Sequence, residues 1–365
     1  MLDRAKIKKM EQNPIFMQRC IQLARKGEGF TKPNPMVGAV IVHNNRIIGE
    51  GYHRQYGAAH AEVNAIASVR DPSLLPESTI YVSLEPCAHQ GKTPPCAELI
   101  ISRKIPRVVV AIADPNPRVA GKGIGMMRKS GIDVSVGLLA DEARELNRFF
   151  FINQLSNRPY IILKWAQSMD GFMDINRTAI EKNSPVKISN GITHTIVHKL
   201  RTQVQGIIVG TNTALLDNPQ LTARKWYGNH PTRIVIDREN KIPPTAALFD
   251  GTVSTIVFTA SPPGDSRRHE QVKHIVIDFS RDTITQIVNH LYNEKIHSLL
   301  VEGGAKLLSS FIEREMWDEA LVERSGKRLL SGVKAPDIQG EVTDTYRYLD
   351  SVQFHIKSKI SRNIL

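Results

Sequence analysis

The sequence predicts an α/β protein built from two different domains. The chain has 365 residues, and a single hydrophobic core usually stops growing at about 250–300 residues. Short apolar segments of strand length alternate with helical patterns along the chain, which is typical of layered α/β domains. A short polar stretch at 154–159 interrupts the alternation, and no internal repeat is evident. We therefore predict one domain at residues 1–153 and another at residues 154–365.

Apolar periodicity and glycine or proline punctuation predict the individual elements. The first domain opens with a helix over 13–29, followed by a hairpin of strands 37–42 and 46–51. Its remaining elements are predicted as helices at 61–70, 95–103, 123–130 and 141–151, and strands at 79–84, 107–113 and 132–136. The second domain is predicted to contain strands at 160–165, 206–210, 233–237, 255–259, 274–277 and 298–302, and helices at 193–201 and 306–313.

Composition narrows the class of protein. Three cysteines in so long a chain argue against a disulfide framework and favour a reducing compartment. No apolar run approaches the roughly 20 residues that span a bilayer, and the charged start does not resemble a signal peptide. We therefore expect a cytoplasmic protein with no membrane partner. The net charge of +12 fits either nucleic acid or an anionic small substrate, and 6% aromatic residues are few for a base-stacking platform.

The strongest chemical signal joins three residues that are distant in sequence. His60 is followed by Glu62, Pro86 precedes Cys87, and Cys96 follows Cys87 after eight intervening residues. Catalytic zinc takes three protein ligands and keeps its fourth position for water. One imidazole and two thiolates would balance the charge of the metal and leave it Lewis-acidic. Prolines before both cysteines suggest that each begins a helix, where the positive helix end favours thiolate. We predict zinc ligands at His60, Cys87 and Cys96.

Glu62 is predicted to move protons at this site. Residues two apart in a regular helix do not share a face, so His60 must sit at the helix entry and Glu62 in its first turn. Glu62 would then deprotonate the attacking water and protonate the leaving amine. This order of residues is a signature of zinc nucleobase deaminases. The alternative is a helix-capping histidine with two buried apolar cysteines.

The loop from Cys87 to Cys96 is longer than the Cys-x-x-Cys of cytidine and tRNA adenosine deaminases. With segments 33–38, 60–63 and 114–123, it resembles the bifunctional deaminase–reductase family of riboflavin biosynthesis. The resemblance implies a cytidine-deaminase-like three-layer domain, which deaminates a diaminopyrimidinone carrying a phosphoribosylamino group. It also implies that Asn34 and His89 hold the pyrimidine ring and that Lys92 meets the phosphate end. A solvated loop lysine is the alternative for Lys92.

The second domain carries weaker signals of the same family. Segments 164–171 and 210–213 and the turn Gly303–Gly304 resemble its reductase domain, which has a dihydrofolate-reductase-like fold and uses NADPH to reduce the ribosyl side chain to ribityl. Two glycines at a strand-to-helix turn suit a phosphate. The resemblance places Ala166, Thr213, Asp217 and Gly304 along the cofactor. It places Arg201, Leu221, Arg224 and Glu302 along the substrate, with both arginines toward its phosphate.

Some residues of the second domain have alternative interpretations or differ from the family pattern. An exposed helical charge is the alternative for Arg201, and Asp217 and Glu302 are only candidates for the proton donor. Lys187 stands where the family usually has an aromatic residue, and Gly326 stands where a proline is common. Segment 121–125 lacks the third glycine and the preceding strand of a dinucleotide fingerprint, so we reject it as a Rossmann site.

Three alternative functions follow. A deaminase acting on another nucleobase or on tRNA would fit the charge, but not the long cysteine loop. A non-catalytic protein with structural zinc would need a fourth ligand, for which His89 is the candidate. A working deaminase could also carry a degenerate reductase half. We expect a small phosphorylated pyrimidine as partner, no nucleic acid, and, from the resemblance, a homodimer or larger homo-oligomer.

Overall fold

The computed structural model describes residues 12–88, 94–117, 119–177, 184–262, 264 and 270–364. The chain divides into two compact units between Leu155 and Ser156. The boundary predicted at 153/154 lies in the same helix, Arg148–Ser156. Across the described ranges, no helix is both long and apolar enough to cross a membrane.

The first unit is a helix–sheet–helix sandwich around a five-stranded sheet of order β2-β1-β3-β4-β5. Strands β1, β2 and β3 pair antiparallel, whereas β3, β4 and β5 run parallel. The strands are β1 (Gly38–His43), β2 (Arg46–Tyr52), β3 (Thr79–Val82), β4 (Arg107–Val110) and β5 (Asp133–Val136). The helices are α1 (Pro14–Arg25), α2 (Ala61–Ala67), α3 (Cys96–Ser102), α4 (Lys122–Lys129), α5 (Ala140–Leu146) and α6 (Arg148–Ser156).

Burial explains the layers of this unit. Helices α2, α3 and α4 share one apolar cluster with alternate residues of the sheet, such as Ile41 and Ile80. Helix α1 covers the opposite face, where its Cys20 thiol donates to the carbonyl of Tyr81. The hairpin turn places Asn44 and Asn45 at φ values of 46° and 60°, the left-handed pair that a two-residue turn needs to match strand twist.

The helix predicted at 141–151 is wrong, because the structure has two helices that meet at Asn147. The backbone there leaves the helical region, with φ −106° and ψ 23°. The Asn147 amide accepts from the Met36 N–H at 2.8 Å and donates to the Met36 carbonyl at 2.9 Å. This contact joins the helix break to the loop before β1.

The second unit is a nine-stranded sheet of order β11-β10-β9-β8-β12-β6-β13-β16-β15. Neighbouring strands from β11 to β13 are parallel, and the β13, β16 and β15 ladders are antiparallel. The strands are β6 (Tyr160–Gln167), β7 (Phe172–Asp174), β8 (Gly206–Gly210), β9 (Thr232–Ile236), β10 (Thr255–Thr259), β11 (Val272–Val276), β12 (Ser298–Glu302), β13 (Glu319–Ser325), β14 (Val333–Lys334), β15 (Glu341–Tyr348) and β16 (Ser351–Lys357). The helices are α7 (Gly191–Gln203), α8 (Thr211–Asp217), α9 (Thr283–Asn293), α10 (Ala305–Glu313) and α11 (Lys359–Ile364).

Successive side chains of β6 point to opposite faces of this sheet. Leu163 and Trp165 join the core cluster with residues of α9 and α10. Lys164 and Ala166 point to the other face, where they line a cavity. The predictions of strands at 206–210, 255–259 and 298–302 are confirmed.

Two candidate active sites, one in each unit

The three predicted metal ligands lie together. His60 Nδ1 is 3.6 Å from Cys87 Sγ and 3.3 Å from Cys96 Sγ, and all three ligand atoms lie within 4.8 Å of one another. A tetrahedral zinc with bonds of about 2.1 Å to nitrogen and 2.3 Å to sulfur separates the two atoms by roughly 3.6 Å. The donor set and its spacing therefore fit a zinc ion.

Local structure brings these ligands together. His60 is the N-cap of α2, with extended backbone at φ −70° and ψ 164°. Cys96 begins α3 directly after Pro95, and its N–H donates to Cys87 Sγ at 3.3 Å. The expectation that Cys87 also begins a helix is wrong, because it lies in the loop after Pro86. Hydrogen bonding to Cys96 lowers the pKa of Cys87 and so favours its thiolate.

Glu62 lies in the first turn of α2, as predicted, and is only 3% exposed. Burial raises the pKa of its carboxyl to about 7. A carboxyl whose pKa lies near neutrality can both accept and release a proton at physiological pH. Glu62 therefore has the properties of a proton shuttle beside the three ligands.

A cavity of about 320 Å³ opens over this triad. Asn34, a predicted ring-binding residue, lies in its wall with His60 and Glu62, and its amide contacts His53 Nε2 at 3.3 Å. His89 and Lys92 lie outside the described residues. Sequence reasoning missed other residues that line this cavity: His53, Glu85, Asp114, Asn116, Phe150 and Gln154. Of these, His53 carried a signal, because it stands just after a predicted strand, where site residues are common.

The glycine-rich segment that we rejected as a Rossmann site donates its backbone N–H groups to a side chain of the protein itself, Glu85. Glu85, 5% exposed, accepts from the N–H groups of Gly121 and Gly123 at 2.9 and 3.0 Å and of Ile124 at 3.2 Å. A Cβ on Gly123 would lie 2.0 Å from the Pro86 carbonyl oxygen. The backbone of this turn is thus fixed against the loop that carries Cys87, and its N–H groups are already engaged by Glu85.

The second unit has a larger cavity, of about 630 Å³. The structure brings together six of the eight residues predicted for this half, and these line the cavity: Ala166, Arg201, Thr213, Asp217, Leu221 and Glu302. Gly303 lines it, and Gly304 follows as the N-cap of α10. Arg224 is exposed, and the neighbouring Lys225 lines the cavity.

The Gly303–Gly304 turn has the shape of a phosphate cradle. Both glycines have positive φ, 79° and 39°, which side chains rarely tolerate. A Cβ on either would lie 3.1 Å from the side chain of Thr213. The turn precedes α10, whose free N–H groups and dipole favour an anion. These features fit the pyrophosphate of a dinucleotide cofactor.

Arg201 and Glu302 form a buried ion pair. Arg201 Nε and Nη2 donate to the two oxygens of Glu302 at 3.0 and 2.7 Å, and Nη1 donates to the Thr222 carbonyl at 2.9 Å. Burial alone would raise the pKa of Glu302, but the Arg201 charge outweighs it and lowers the pKa. Glu302 is therefore ionised at neutral pH and is not a proton donor in this arrangement.

Other charges follow the cavity wall. Arg177 Nη2 contacts Asp174 and Asp217, both at 2.5 Å. Lys225 Nζ lies 2.9 Å from His194 Nδ1. Lys164 and Lys187 also line the wall, whereas Gly326 does not. Apart from Asp217 and Lys187, sequence reasoning did not single out these residues, because single lysines, histidines and arginines in polar segments carry no distinctive signal.

Comparison with known proteins agrees with both halves of the chain. Residues 10–112 match the family model for the cytidine and deoxycytidylate deaminase zinc-binding region, and residues 159–323 match the RibD C-terminal domain. The riboflavin biosynthesis protein RibD of Bacillus amyloliquefaciens is 40% identical, with 96% of this chain and 94% of that protein covered. The Escherichia coli K12 protein of the same name is 35% identical, with 88% and 90% covered.

Solved structures give the same result. The diaminohydroxyphosphoribosylaminopyrimidine deaminase/5-amino-6-(5-phosphoribosylamino)uracil reductase of Thermotoga maritima is 34% identical and superposes with a TM-score of 0.85 over 94% of this chain and 98% of that one. Acinetobacter baumannii RibD is 30% identical, with the same TM-score and coverage. The predicted fold class and family are thus confirmed. The chain belongs to the RibD family of bifunctional riboflavin-biosynthesis enzymes, with a zinc-binding deaminase domain followed by a reductase domain.

Proposed function

We propose that the first domain hydrolyses the exocyclic amine of 2,5-diamino-6-(5-phosphoribosylamino)pyrimidin-4(3H)-one, and that the second reduces the ribosyl side chain of the product to ribityl with NADPH. The observation that carries the deaminase proposal is the cluster of His60, Cys87 and Cys96 beside the buried carboxyl of Glu62. The name of the Thermotoga relative contains the same two activities, a deaminase and a reductase.

In the deaminase domain, His60, Cys87 and Cys96 would hold the zinc, which supplies a Lewis acid when bound. Glu62 takes a proton from the attacking water and returns it to the amine, which leaves as ammonia while the ring carbon gains an oxygen. Asn34, with an amide donor and acceptor, orients the pyrimidine edge. We assign His89 to the ring and Lys92 to the phosphate by the family resemblance.

In the reductase domain, NADPH would supply a hydride to the ribose-derived carbon when bound. The Gly303–Gly304 turn holds its pyrophosphate, and Ala166, Thr213 and Asp217 line its path. The substrate occupies the part of the cavity lined by Lys164, His194, Arg201, Leu221, Lys225 and Glu302, with its phosphate toward the lysines and Arg201. We assign Arg224, which is exposed beside this part of the cavity, to the phosphate by the family resemblance. We further propose domains of 1–153 and 154–365 and a cytoplasmic homodimer or larger homo-oligomer that does not bind nucleic acid.

A single assay tests both activities. Ammonia release and NADPH absorbance are followed together on the pathway pyrimidine with the full chain. Glu62→Gln is expected to keep zinc and to lose ammonia release. Glu98→Gln is the matched control, because Glu98 is exposed on α3. Full ammonia release by Glu62→Gln would remove Glu62 from its role.

Lys187 favours a second candidate function, in which the deaminase domain is active and the reductase domain is degenerate. This lysine lies in the cavity wall at a position where the family usually has an aromatic residue. When the deaminated pyrimidine is supplied directly, oxidation of NADPH supports a working reductase. Ammonia release without NADPH oxidation supports the degenerate one.

A further inference from the structure

The second domain buries a carboxylate that the proposed reaction does not use. Glu323, on β13, is only 1% exposed. Its oxygens accept hydrogen bonds from two hydroxyls, Ser189 Oγ at 2.6 Å and Thr193 Oγ1 at 2.8 Å. In the part of the chain that the structure describes, no lysine or arginine forms an ion pair with it. By contrast, the buried Glu302 has Arg201 as its partner.

Glu323 lies behind the wall of the reductase cavity. It pairs with Ala166 in the parallel ladder of β13 and β6, and Ala166 lines the cavity. Ser189 also lines the cavity and is half-buried. The Ser189 hydroxyl therefore lies between the buried carboxylate and the space that a ligand would fill.

This arrangement fixes the polarity of the serine. A hydroxyl has one proton to donate and two lone pairs that accept. Ser189 Oγ donates its proton to Glu323, so only its lone pairs are left for the cavity. An acceptor held in this way selects an N–H or O–H of a ligand and disfavours a carbonyl or phosphate oxygen.

We propose that Glu323 is a positioning residue of the reductase, which orients Ser189 to accept a hydrogen bond from an amide N–H or a sugar hydroxyl of the bound ligands. This inference rests on the proposed reductase function of the cavity. Both NADPH and the pyrimidine substrate carry such donors, so the experiment must distinguish them.

The first test changes the serine in the full-length protein. Ser189→Ala removes the acceptor, whereas Ser189→Thr keeps a hydroxyl. The loss of one neutral hydrogen bond corresponds to roughly a 3- to 10-fold change in affinity. NADPH affinity is measured by titration without substrate, and the KM of the pyrimidine is measured at saturating NADPH. We expect Ser189→Ala to weaken the binding of either NADPH or the pyrimidine by this factor. Ser189→Thr should bind that ligand about as well as the wild-type protein does.

The second test asks whether Glu323 acts through Ser189. In Glu323→Gln only one oxygen remains for two hydroxyls, and we expect the same ligand to bind more weakly. In the Ser189→Ala background, Glu323→Gln should have little further effect on that ligand. Thr195→Ala is the control, because the Thr195 hydroxyl, on α7, donates to the Gly191 carbonyl and not to Glu323. A purely structural role would lower the melting temperature without this non-additivity.

The outcomes separate the two proposals. Wild-type protein that binds no NADPH and reduces no substrate would overturn the proposed reductase and this inference with it. Wild-type activity combined with an unchanged NADPH affinity and pyrimidine KM in Ser189→Ala would overturn this inference alone. An equal loss from Glu323→Gln in both serine backgrounds would also overturn it.

Discussion

Breaking the buried ion pair of Arg201 and Glu302 should lower the free energy of unfolding of the second domain. Glu302→Gln leaves the Arg201 guanidinium with a neutral partner, and the two side chains are only 11% and 12% exposed. Removing one member of a buried pair costs about 3–5 kcal/mol. Because the amide of glutamine retains one acceptor oxygen for Arg201, we expect a loss of about 3 kcal/mol, which shifts a urea midpoint by about 1 M or more.

Intrinsic fluorescence can measure this loss in the full chain, because all three tryptophans, Trp165, Trp226 and Trp317, lie in the second unit. The exposed Glu313→Gln, on α10, is the matched control. Since the Glu302 pKa is lowered in the folded protein, its contribution is complete above the unfolded pKa of about 4.3 and is lost as pH falls through the folded pKa. The difference between wild type and variant should therefore narrow below about pH 4. Equal midpoints at pH 7 would refute this reasoning.

Three further predictions concern single residues. Cys96→Ser should lower bound zinc below one equivalent by metal analysis; a full equivalent would contradict its role as a ligand. Gly303→Ala should weaken NADPH binding at least several-fold in a titration, because the residue has φ 79° and its new Cβ would press on Thr213. Gly125→Ala is the control, since a Cβ there meets nothing within 4 Å, and equal weakening by both would contradict the cradle. Asn147→Ala should cost the first domain about 1–3 kcal/mol by leaving two backbone groups unpaired; an unchanged thermal midpoint for that domain would count against the contact.

The sequence predicted the metal cluster and the central strands for different reasons. The ligands of the cluster were recognisable because zinc chemistry restricts residue type and order, whatever loops separate them. The central strands of the second sheet are buried on both faces, so they read as continuous apolar runs, and 206–210 and 298–302 were predicted with the bounds observed. Near-continuous runs of this kind are typical of parallel strands that are covered on both faces.

Other features depend on contacts between residues far apart in the chain. Asn147 ends a helix by bonding Met36, 111 residues away, and nothing near Asn147 signals that partner. Strand β15 is almost wholly exposed, so its sequence lacks the alternation that identifies a half-buried strand. Glu323 and Ser189 are 134 residues apart, and their contact follows only from the packing of α7 on the sheet.

Pairing within the cavity also determines which cations are left for an anionic substrate. The charge of Arg201 is balanced by both oxygens of Glu302, and Arg177 is shared between Asp174 and Asp217. Lys225 differs, because its partner is His194, whose pKa is lowered by burial and by the Lys225 charge. A neutral imidazole accepts a hydrogen bond without cancelling the ammonium charge. The positive potential at this end of the cavity is therefore carried more by Lys225 than by Arg201, one of the two arginines that the family resemblance assigned to the phosphate.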